Sequence, residues 1–60
     1  MRRTYKSILG NIRKASDRLL KVQARLIEDP EKNDEELDAN ARILVHLMDA
    51  SDLLKDRIGP

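Results

Sequence analysis

Apolar side chains return at alternating intervals of three and four along this chain, twice over, and that spacing limits it to packed α-helices. The first series is Tyr5, Ile8, Ile12, Ala15, Leu19, Val22 and Leu26. Steps of three and four keep side chains on one face of an α-helix, whereas a strand needs steps of two. The second series is Leu37, Asn40, Leu44, Leu47, Ser51, Leu54 and Ile58, with the same intervals. Each reads as a seam of the coiled-coil kind, so the fold class expected is all-α, a pair of antiparallel helices of nearly equal length.

The boundaries follow from local chemistry. Residues Met1 to Thr4 carry no apolar pattern, and Thr4 or Ser7 can cap the first helix, predicted over about 4 to 28. Pro30 lacks an amide proton and disfavours helix at Asp29, which predicts a loop over 29 to 33. Asn33 with Glu36 three residues later fits a capping box, and Asp34, Glu35 and Glu36 suit the positive end of a helix dipole. The second helix is therefore expected over about 34 to 58, with Lys55 and Arg57 in its last turn and Gly59 and Pro60 beyond it. Folding the loop back aligns residues whose numbers sum to 62 or 63. Leu26 then meets Leu37, Leu19 meets Leu44, and Tyr5 meets Ile58.

Sixty residues make one domain at most, the whole of 1 to 60. At this size burial of apolar surface barely offsets chain entropy, and an elongated hairpin buries less than a sphere. Both helices also carry apolar residues outside their seams: Leu9, Leu20 and Ile27 on the first, and Ala41, Ile43, Val45, Met48, Ala50 and Leu53 on the second. A single neighbouring helix cannot cover so wide an apolar surface. The expected solution is a homodimer, two hairpins forming a four-helix bundle through the seam residues, with Asn40 and Ser51 as polar groups that set register. Leu20, Ile27, Val45 and Leu53 are then candidates for an outer surface that binds a further protein.

Charge is unevenly placed. Residues 1 to 26 hold eight basic side chains and one acid, for +7, while residues 27 to 60 hold ten acids and four bases, for −6. On helix 1 the candidate nucleic-acid face is Lys6, Arg13, Lys14, Arg18, Lys21 and Arg25. Two such helices side by side would present a basic surface to phosphates. Small bundle proteins that bind paired RNA loops resemble this arrangement in architecture. The competing expectation is internal neutralisation, with Glu36 and Asp52 of helix 2 reaching the cations of helix 1.

Little else points to chemistry. The chain has no Cys, which excludes disulfides and thiolate catalysis, and no Phe or Trp, which removes stacking platforms for single-stranded nucleic acid. His46 is the sole histidine, with Arg42 and Asp49 on its own face, and it reads as a surface residue. The acids from Asp29 to Glu36 lack the alternating pattern and central glycine of a calcium loop. No phosphate loop, catalytic triad or nucleophile elbow is present, so no catalytic residue, metal or cofactor is expected. Apolar runs stop at three residues and no leader-like pattern precedes helix 1, which gives a cytoplasmic, non-membrane expectation.

Overall fold

The computed structural model describes residues 1 to 59 and shows two helices, α1 (Arg2–Leu26) and α2 (Asp34–Ile58), folded back on each other. The hairpin measures 43 × 15 × 14 Å. The expected Pro60 stop lies outside the described residues.

Both ends of α1 differ from expectation. It begins at Arg2, ahead of Thr4 and Ser7, because Tyr5 N–H already donates to Met1 O at 2.9 Å and closes a turn there. Met1 caps this end without a side-chain bond. The helix ends at Leu26, two residues short of 28, where the bonding pattern tightens. Glu28 N–H reaches Arg25 O at 3.2 Å and Asp29 N–H reaches Leu26 O at 3.2 Å, three residues back where α-helix bonds span four. Pro30 makes any return to helix at Asp29 unfavourable.

Asn33 sits at the start of α2, as expected, yet forms no capping bond to it. Its Nδ2 instead donates to Leu26 O at 3.1 Å, a second bond to the carbonyl that already accepts from Asp29 N–H. One side chain thus ties the two helix ends across the turn. The acids Asp34, Glu35 and Glu36 occupy the first turn of α2, and Lys55 and Arg57 the last. Gly59 closes α2 at φ 78°, a conformation in which a side chain would be strained, and its N–H donates to Lys55 O at 3.0 Å.

The inner stripe of α2 follows the spacing: Leu37, Leu44, Leu47, Ser51, Leu54 and Ile58 are half-buried and Asn40 is buried. On α1 the contact is turned by one position. Leu9 is the buried residue, at 7% exposure, whereas Ile8 and Val22 of the expected seam are 41% and 44% exposed. The side of α1 facing α2 is Tyr5, Leu9, Ile12, Ser16, Leu19, Gln23 and Leu26, which also alternates intervals of four and three.

Asn40 supplies the reason for that rotation. Its Nδ2 donates to Leu19 O at 3.2 Å and to Gln23 Oε1 at 3.0 Å. A buried amide is costly unless bonded, and Gln23 can meet it only if the Leu9 and Gln23 side of α1 turns inward. Ser51 works locally, donating to Leu47 O of its own helix at 2.8 Å, so it does not set the pairing of the two helices.

Candidate interaction surfaces

A two-helix hairpin has two broad flanks, and the handedness of the helices decides which residues share one. Taking Tyr5 and Leu37 as heptad position a on their helices, α1 meets α2 between its a and e positions, and α2 replies between its a and d positions. Because the helices are antiparallel and right-handed, position d of α1 and position g of α2 then fall on one flank, and positions b of α1 and e of α2 on the other.

The first flank carries Ile8, Ala15 and Val22 of α1 beside Ile43 and Ala50 of α2, with Leu53 at its edge. Ile8, Val22, Ile43 and Leu53 are exposed, and Ala15 and Ala50 half-buried between them. Between Glu36 and Arg57, the exposed g positions of α2 at its two ends, this stripe is apolar. The second flank is divided. Near the turn it carries Leu20 and Ile27 of α1 with Ala41, Val45 and Met48 of α2, all exposed. Near the free ends it becomes an open groove of about 350 Å³ lined by Lys6, Leu9, Arg13, Lys55, Ile58 and Gly59. The four outer candidates are therefore split, with Leu20, Ile27 and Val45 on the second flank and Leu53 on the edge of the first.

The six cations of the candidate nucleic-acid face on α1 are all exposed. Lys6 and Arg13 point to the second flank, Arg18 and Arg25 border the first, and Lys14 and Lys21 lie on the side away from α2. The stripe thus wraps the outer half of α1 and is not confined to one flank. None of the six has an ion-pair partner among the described residues, and neither Glu36 nor Asp52 reaches across to α1. One ion pair lies within α2, from Arg42 Nε to Asp38 Oδ2 at 3.1 Å, both exposed. It contributes little to stability.

Among the described residues no three His, Asp or Glu side chains converge into a metal-binding group, and no helix is long and apolar enough to cross a membrane. Three structural participants were not visible as such in the sequence. Leu9 and Gln23 stand seven residues either side of Ser16, a faint second seam, and Lys55 joins the groove through chain reversal alone. The chain matches no family model, no curated protein and no solved structure in the comparisons made with known proteins.

Proposed function

We propose that this protein is a small non-enzymatic interaction module, a regulator or adaptor, that works as a homodimeric four-helix bundle and binds another protein through the flank left uncovered. The observation that carries the reading is surface. The hairpin exposes 5113 Å², against about 4,000 Å² for a compact chain of its mass. Nine large apolar side chains contribute to the difference, Leu53 at 68% and Met48 at 65% among them. Apolar surface of that extent marks an association site, and burying it would supply affinity while the charge asymmetry supplies orientation.

Light scattering over a wide dilution series, with circular dichroism on the same samples, tests the dimer. The expected outcome is twice the chain mass with helicity retained. A monomer whose helicity falls on dilution would instead assign the seams to a different protein.

The exposed cations Lys6, Arg13, Lys14, Arg18, Lys21 and Arg25 favour a second reading, a nucleic-acid-binding bundle. That reading requires affinity for duplex RNA or DNA that weakens steeply with salt and is lost in the R13E/K14E/K21E variant with the fold intact. The interaction-module reading expects no such affinity, and expects Leu20→Asp to abolish capture of a specific protein partner.

A further inference from the structure

We infer that the flank carrying Ile8, Ala15, Val22, Ile43 and Ala50 receives a second copy of this chain, and that the copy is turned about an axis parallel to the helices so that each α1 lies against the partner's α2. This rests on the homodimer reading above and specifies its face and its symmetry.

The choice of face follows from α1. Tyr5, Ile12, Leu19 and Leu26 are common to two overlapping seams, and α2 occupies only the one completed by Leu9, Ser16 and Gln23. The seam completed by Ile8, Ala15 and Val22 keeps its knobs and has no helix to receive them. The opposite flank offers no equivalent length, because Lys6, Arg13 and Lys55 interrupt it near the free ends. The surface to be covered is also of the right size. A compact pair of twice the mass exposes about 6,600 Å², so two hairpins of 5113 Å² each would bury about 3,600 Å² together, within the range of permanent dimers.

The choice of axis follows from charge. A closed pair of slabs can be related by a two-fold axis across the helices, which sets α1 against α1 and α2 against α2, or by an axis along them, which sets α1 against α2. Residues 1 to 26 carry +7 and residues 27 to 60 carry −6. The first arrangement stacks like charge on like charge, and the second stacks opposite charges. An axis along the helices also preserves axial level, so the pairing inside each hairpin is repeated between them. Ala15 and Val22 then lie against the partner's Ala50 and Ile43, each within a helical turn of level, and the two alanines let the backbones approach. At the border Arg25 comes level with the partner's Glu36, an attractive contact.

Two variants read the arrangement directly, because a disulfide forms only where Cα atoms come within about 7 Å. A15C and A50C are prepared separately, checked for helicity and dimer mass while reduced, then oxidised alone and as an equal mixture. The inferred dimer couples A15C to A50C in the mixture and gives no covalent dimer from either variant alone. Coupling of A15C to itself or A50C to itself would place like helices together and overturn the inference, as would a dimer in which no combination couples. Salt gives a second reading from the unmodified chain. The dissociation constant should rise severalfold from low to high salt as attraction between unlike helices is screened. A constant that stays level or falls overturns the proposed axis. Light scattering keeps the two ideas apart, since a monomer defeats the dimer reading itself, whereas a dimer with the wrong cross-links defeats only this arrangement.

Discussion

Asn40 is the residue on which the pairing of the helices turns. It is one of two buried residues among those described, at 6% exposure, and it spends both amide protons on α1. Truncating it in N40A removes two hydrogen bonds and leaves a gap, so unfolding by denaturant should show a loss of about 1 to 3 kcal/mol. N40L should behave differently. A leucine completes the apolar seam and raises the thermal midpoint, while the loss of the bonds to Leu19 and Gln23 removes the penalty against neighbouring registers. The expected signature is a more stable protein with a broader mass distribution in light scattering. A narrow distribution for N40L would show that shape, and not the amide, sets the register. The polar step in the second seam was legible at this position, since an asparagine among leucines every third and fourth residue has few other uses. Its acceptors were not. Leu19 offers a backbone carbonyl, which every residue has, and Gln23 lay outside the aliphatic series. A side chain chosen for its amide leaves no mark in a hydrophobic pattern.

At the scale of the elements, periodicity gave the type and length of both helices, because steps of three and four have one geometric solution. It could not choose between the two seams of α1. Tyr5, Ile12, Leu19 and Leu26 serve both, and the aliphatic completion by Ile8, Ala15 and Val22 looks stronger on paper than the mixed one by Leu9, Ser16 and Gln23. The hairpin takes the mixed seam because a bonded polar pair must be enclosed, whereas an aliphatic flank can wait for another surface. The turn holds a similar lesson. Asn33 and Glu36 have the spacing of a capping box, but the asparagine amide can donate as well as accept, and it is used as a donor to Leu26 O. N33S tests this. Serine is as good an N-cap as asparagine, so a capping role would leave stability unchanged, whereas loss of the bond to Leu26 should cost about 1 kcal/mol in chemical denaturation, the same as N33A.

For the whole molecule the governing quantity is the ratio of buried to exposed surface. An extended chain of this mass exposes roughly 10,000 Å², and the hairpin still exposes 5113 Å², so folding alone covers only about half where a compact domain of this size covers about 60%. In the proposed dimer the remaining stability comes from association, with a consequence that involves no particular contact. If folded chains exist mainly as dimers, unfolding also dissociates them, and mass action makes the thermal midpoint depend on concentration. Each tenfold increase in protein then adds about 1.4 kcal/mol of apparent stability per dimer, and the midpoint measured by circular dichroism should climb steadily through the dilution series. A hairpin stable by itself would melt at one temperature throughout. Salt sharpens the comparison, because the opposite charges of residues 1 to 26 and 27 to 60 attract within a hairpin and, in the proposed dimer, between hairpins. Screening them should lower the midpoint, and lower it most in dilute samples, where the intermolecular share of that attraction decides whether the bundle holds together.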